Sequence, residues 1–176
     1  MVEASRLILG VDPGSRITGW GLIRGHAQSP QLHDSGTVRL PPGQSFEQRL
    51  AKLHAEIHEL TARHRPAVAA VEAPFHGVSA RSALQLAHAR GVILAAIASN
   101  GVPVIEYAPA TIKKTVTGHG RADKDQVAAE VVRVFGPVTA SSDLTDAIAV
   151  ALCHQIRGRF DQIVEAALRK QSSVSR

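Results

Sequence analysis

Leu7-Ile8-Leu9-Gly10-Val11-Asp12-Pro13-Gly14-Ser15-Arg16-Ile17-Thr18-Gly19-Trp20-Gly21-Leu22 decides the fold of this chain. Residues Leu7 to Asp12 form a short apolar run of the kind that makes a buried strand, and the run stops at an acid. Pro13-Gly14-Ser15 then turns the chain, and Thr18 to Arg24 resumes as a second strand containing glycine. Ala67 to Glu72 (Ala-Val-Ala-Ala-Val-Glu) repeats the first pattern and also ends on an acid. Two buried strands therefore deliver Asp12 and Glu72 to an edge of one sheet.

Working outward, Gln31 to Leu40 alternates loosely and suits a third, outer strand before the Pro41-Pro42-Gly43 break. Ser45 to His64 places Phe46, Leu50, Leu53, Ile57 and Leu60 on one helical stripe, opened by a Ser45 and Gln48 capping box. After Glu72, residues Ala73 to Val78 read as a loop, and Ser79 to Asn100 as an Ala-rich helix stopped by Gly101. Its small and aliphatic residues suit close helix packing. Pro103 to Tyr107 reads as a strand, and a basic segment, Thr111 to Lys124, leads to a helix from Lys124 to Phe135. The last helix is expected from Asp143 towards Arg159, with a disordered tail over about 166–176. This order predicts an α/β chain with a mixed central sheet, three antiparallel strands followed by two parallel ones, flanked by helices in a single domain over 1–176.

Aromatics make up only 3% of the residues, so the core must be built from Val, Ile, Leu and Ala. Twenty Lys and Arg face fifteen acids, a formal charge of +5 that favours a polyanionic partner. If four of those acids gather around metal, the surface left over is more basic than the total implies, which makes nucleic acid the leading partner. The lone Cys153 precludes an internal disulfide and fits a reducing compartment, and no leader or membrane-length apolar stretch is evident, so a cytoplasmic location is expected.

Asp143 and Asp146 stand at i and i+3, so on a helix they project from one face with Cβ atoms roughly 5–6 Å apart. Carboxylates drawn together with Asp12 and Glu72 repel unless a cation neutralises them. Hard oxygen donors with no Cys or convincing His set nearby point to Mg²⁺ or Mn²⁺ rather than zinc. Arg81, Arg90, Lys113, Lys114, Arg121 and Lys124 are the basic residues that could line an approach for DNA.

Asp12-Pro13-Gly14-Ser15-Arg16-Ile17-Thr18-Gly19-Trp20-Gly21, Glu72-Ala73-Pro74-Phe75, Lys113-Lys114-Thr115-Val116-Thr117-Gly118-His119-Gly120 with Lys124, and Asp143-Leu144-Thr145-Asp146-Ala147 occur in the order found in the RuvC family of Holliday-junction resolvases, which the chain closely resembles up to about Arg159. The resemblance implies an RNase H-like fold, a homodimer, two Mg²⁺ ions per site and paired symmetric nicks in a four-way DNA junction. It implies that Asp12, Glu72, Asp143 and Asp146 are catalytic metal ligands, that Phe75 contacts unstacked bases, and that Lys113 and Lys124 act near the scissile phosphate. A RuvA-RuvB branch-migration complex is the implied partner. Ala73, Pro74 and His119 depart from the family pattern, so the preferred cutting sequence is expected to differ.

Plainer readings stand beside these. A lone acid at a strand end is usually a solvated charge, a lone Phe75 a core or loop anchor, and a lysine run an ordinary surface. His54 and His58 share a helix face, but Glu56 is misplaced for a zinc motif and no third ligand is evident. Cys153 reads as a small buried hydrophobe, and His76 and His119 as surface residues. Competing functions are an ATPase of the actin and sugar-kinase type, opposed by the chain's length, an RNase H-like nuclease acting on RNA or RNA-DNA hybrid, and a DNA-binding module without catalysis, which would have no use for converging acids.

Overall fold

The computed structural model describes residues 7–26, 28–74, 79–138 and 141–174, with the last helix's side chains described as far as residue 158. Five strands, β1 (Ile8–Asp12), β2 (Ile17–His26), β3 (Ser29–Arg39), β4 (Val68–Glu72) and β5 (Val104–Tyr107), form one sheet in the order β3-β2-β1-β4-β5. Strands β1, β2 and β3 pair antiparallel, while β4 joins β1 and β5 joins β4 in parallel. This is the mixed sheet that the pattern of runs predicts.

Side-chain alternation along β1 assigns the two layers. Leu9 and Val11 point to one face and join Leu22, Ala69 and Val71 under α1 (Phe46–His64) and α2 (Ala80–Ala98), whose Leu53, Ile57, Ala89 and Ile93 close a first core. Ile8, Ile23 and Ala70 point to the other face, beneath α3 (Pro109–Thr117), α4 (Lys124–Phe135) and α5 (Ser142–Val174), where Ile112, Val127, Val131 and Ile148 complete a second core. Asp12 and Glu72 lie two residues beyond Gly10 and Ala70, so they extend the second face rather than the first.

The expected capping box at Ser45 and Gln48 is present, with both reciprocal hydrogen bonds made, and Asp123 and Gln126 form a second at the start of α4. Two boundaries differ from expectation. The basic segment Thr111 to Lys124 contains the helix α3, begun by Pro109 in its first turn and ended by Gly118 in the left-handed conformation at φ 82°. The segment's charge gives no sign of a helix; the Pro that opens it and the Gly that closes it are its only signals. Helix α5 runs on to Val174, past the expected end near Arg159 and into the stretch assigned to a tail.

Candidate active site

Three backbone features bring the acids together. The turn after Asp12 is closed by buried Thr18, whose hydroxyl donates to the Gly14 carbonyl at 3.1 Å and accepts from the Gly14 N–H at 3.3 Å. Strand pairing then sets Gly19 opposite Asp12 and Gly21 opposite Gly10. That glycine patch lets α5 lie directly on the sheet: a Cβ at Gly10 would stand 2.2 Å from the Ala147 carbonyl oxygen, and one at Gly19 would stand 1.9 Å from that of Asp143. No side chain fits in those gaps. The close approach sets the first turns of α5, with Asp143 and Asp146, against the end of β1.

Parallel pairing of β1 with β4 in register, ending at Val11 and Val71, brings Glu72 beside Asp12. The Ala73 N–H donates to the Tyr107 carbonyl at 2.9 Å and fixes the end of β4 against β5. Asp12, Glu72 and Asp146 line one cleft of about 290 Å³, walled by Pro109, Ile112, Val127 and Ala149, with Lys113 and Lys124 on its rim. A smaller hollow of about 170 Å³ adjoins it, where Asp12, Pro13, Glu72, Ala73 and Pro74 meet Leu86 and Arg90 of α2.

Charge in this cleft is poorly neutralised. Burial first, then the Glu72 and Asp146 carboxylates, push the Asp12 acid up to about 8, with Lys124 partly offsetting them. Glu72 is also raised, chiefly by burial, while Lys124 and Lys113 pull it back. A hydrogen bond between the two carboxyls raises Asp12 and lowers Glu72, so it favours the proton on Asp12. Asp146 instead accepts from the Lys124 ammonium at 3.0 Å, and that bond and its charge raise the Lys124 pKa.

The sequence predicts a closed cage of four acids, and the arrangement is looser. Asp143 lines neither hollow beside Asp12, although its charge reaches Lys124. Among the described residues, no three His, Cys, Asp or Glu side chains stand close enough to hold one ion as they are placed. Repulsion accounts for this: two carboxyls relieve it by keeping a proton on Asp12 and a third by taking a lysine. The donor set nonetheless fits a hard divalent cation, being all oxygen, half-buried and short of positive charge.

The other expected contacts are scattered. Lys113 faces the cleft, whereas Lys114 borders a separate hollow with Thr111, Ile156 and Arg157. Arg121 lies with His119 beside Gln126 and Glu130, and Arg81 is exposed at the start of α2, so neither lines a hollow that contains Asp12. Phe75 and His76 fall outside the described residues. His119 is exposed and packs its ring nitrogen and backbone N–H on Thr117, His54 stacks on His58 at 5.9 Å, and Cys153 is buried. The Lys124 to Asp146 bond and the Arg90 to Glu106 ion pair could not be read from spacing, because each joins side chains distant in the chain.

A sheet of this RNase H-like type, with carboxyls at its centre and lysines over them, defines a nuclease that cuts phosphodiester backbones. Residues 8–154 match the family described as "Crossover junction endodeoxyribonuclease RuvC", and the chain belongs to that family. It is 47% identical over 148 residues to the crossover junction endodeoxyribonuclease RuvC of Oleidesulfovibrio alaskensis, covering 84% of this chain and 89% of that one. Against the same enzyme of Nitratidesulfovibrio vulgaris identity is 41% over 167 residues, covering 94% and 100%. The solved structure of Thermus thermophilus RuvC in complex with a Holliday junction substrate superposes with a TM-score of 0.83 at 32% identity, covering 89% of this chain and 96% of that one.

Proposed function

We propose that this chain is a Holliday-junction resolvase, an endonuclease that nicks two opposed strands of a four-way DNA junction in recombination and repair. The observation that carries the chemistry is the cleft itself, where Asp12, Glu72 and Asp146 meet below Lys113 and Lys124. Asp12, Glu72, Asp143 and Asp146 would hold two Mg²⁺ ions, or Mn²⁺ in their place. When bound, such ions supply an activated water and charge against the phosphorus-bound oxygens.

The chain's own residues do the rest. The proton held on Asp12 must leave before both carboxylates can act as donors. Lys124 holds Asp146 with one ammonium N–H and keeps the others for an incoming phosphate, while Lys113 presents a second charge on the same cleft. The apolar wall of Pro109, Ile112, Val127 and Ala149 limits water around the site, strengthening these charge interactions. No covalent enzyme intermediate is required.

Phe75, three residues after Glu72 in the chain, is assigned to stack on a base freed at the branch point, a contact worth roughly 1–3 kcal/mol. Lys114, Arg81 and Arg121 are assigned to more distant phosphates. A homodimer built on α2 would present two such sites to two strands. The chain is read as one domain, cytoplasmic, working with a RuvA-RuvB branch-migration complex. Among the described residues no helix is long and apolar enough to cross a membrane.

One preparation tested with Mg²⁺ on a synthetic four-way junction, a linear duplex and an RNA-DNA hybrid decides the substrate. Paired symmetric nicks in the junction alone are expected. Preferential cutting of the hybrid would reassign the chain to RNA cleavage.

A further inference from the structure

Arg90 is a charged side chain placed where packing alone would favour an apolar one. It rises from α2 beneath the first core, only 17% of its side chain is exposed, and its guanidinium is paired with Glu106 of β5. Its Nε–H is buried without a partner among the described residues. Taking a guanidinium out of water is costly, and a well-packed apolar residue would span the same gap without that cost. Stability is thus a weak explanation for its presence.

Its position supplies another. Glu106 sits in register with Val71, and the next pair along is Glu72 with Tyr107. The Arg90 to Glu106 ion pair therefore ties α2 to β5 one residue before the rung that carries Glu72. Beyond that rung, Arg90 and Leu86 form the floor of the small hollow under Ala73 and Pro74, which also reaches Asp12 and Glu72. Lys113 and Lys124 line the larger cleft from the α3 and α4 side, whereas Arg90 belongs to α2 on the opposite face of the sheet and lines the smaller hollow.

We propose that Arg90 is a positioning residue of this active site: paired with Glu106, it braces the end of β5 and the Ala73-Pro74 turn, and so fixes the placement of Glu72 beside Asp12. Its effect falls on divalent-cation affinity rather than on DNA binding. The inference rests on the nuclease reading above and deepens it.

The test uses the full chain with Arg90→Gln, Glu106→Gln, Arg90→Lys and the exchanged pair Arg90→Glu with Glu106→Arg. Two measurements are made: the Mg²⁺ concentration giving half of the maximal thermal shift without DNA, and metal-free affinity for a four-way junction. Arg90→Gln and Glu106→Gln are each expected to raise the half-maximal Mg²⁺ concentration about 10–100-fold, the usual effect of losing a group that orients a ligand. Junction affinity stays within about twofold, because no phosphate contact is lost. Arg90→Lys falls between, and the exchanged pair recovers much of the loss.

Unchanged Mg²⁺ dependence in Arg90→Gln overturns the proposal. So does weakened junction binding with a shallower salt dependence while Glu106→Gln stays normal, which would make Arg90 a phosphate contact. Should Arg90→Gln fail to fold, Arg90→Lys and Glu106→Gln still decide, since each keeps a side chain of similar length in the gap. A wild-type protein that neither responds to Mg²⁺ nor cuts junctions removes the nuclease reading and this inference together. A wild-type protein that does both, beside an unaltered Arg90→Gln, removes the inference alone.

Discussion

Asp12 is an acid held at a pKa of about 8 by burial and by the Glu72 and Asp146 carboxylates, so the folded metal-free protein keeps a proton that the unfolded chain has released above its ordinary value near 4. A raised acid contributes its full share of stability below the unfolded value and loses it as pH climbs towards the folded one. In metal-free buffer the melting temperature should therefore fall between about pH 6 and pH 8, and Asp12→Asn, which carries no charge at either pH, should flatten that fall and melt a few degrees higher at the upper end. Equal slopes for the two proteins would mean that the carboxyl is less burdened than its surroundings imply. The same variant should lose cutting by at least about a hundredfold. Its junction binding should stay near normal, because removing negative charge from the cleft does not weaken attraction for phosphate.

At the scale of elements, the decisive contact is α5 lying on the glycines of β1 and β2. Gly19→Ala would push a methyl group into the Asp143 backbone, and Gly10→Ala would do so at Ala147; neither clash can be relieved by rotating a side chain. Each should cost about 1–3 kcal/mol or more and lift the Asp143 and Asp146 turn away from Asp12, so activity falls further than stability alone explains. Gly43→Ala, which meets open space, serves as the control, and chemical denaturation beside junction cutting reads both effects. Much of this was legible in the sequence: apolar runs ending in acids gave β1 and β4, and the stripe from Leu50 to Leu60 gave α1. The glycines at 10, 19 and 21 were visible too, but their role depends on which helix lies over them, and that is a property of packing. The α3 helix was missed because its lysines outweighed the Pro109 start and Gly118 stop. The resemblance carried Lys124 to the site, yet its bond to Asp146 joins residues twenty-two apart in sequence and follows only from α4 crossing α5.

For the whole molecule, the distribution of charge matters more than its total of +5. Asp12, Glu72 and Asp146 are gathered inside one cleft, while Lys113, Lys114, Arg121 and Arg81 remain at or near the surface, so junction affinity should fall linearly on a log-log plot against salt. A flat response would deny that phosphates dominate the contact. Inside the cleft the balance runs the other way, because protons, Lys124 and divalent ions all compete for the same carboxylates. Binding an ion stabilises only the folded chain, and at a hundred times its dissociation constant it contributes roughly 2.7 kcal/mol, or about 5–10 °C for a domain of this size. Since the proton held on Asp12 must leave first, Mg²⁺ at one fixed concentration should raise the melting temperature more at about pH 8 than at about pH 6. Asp12→Asn should abolish most of that difference. If Mg²⁺ shifted the wild type and Asp12→Asn equally at both pH values, the ion would be binding elsewhere, and the cleft would lose its role as the metal centre.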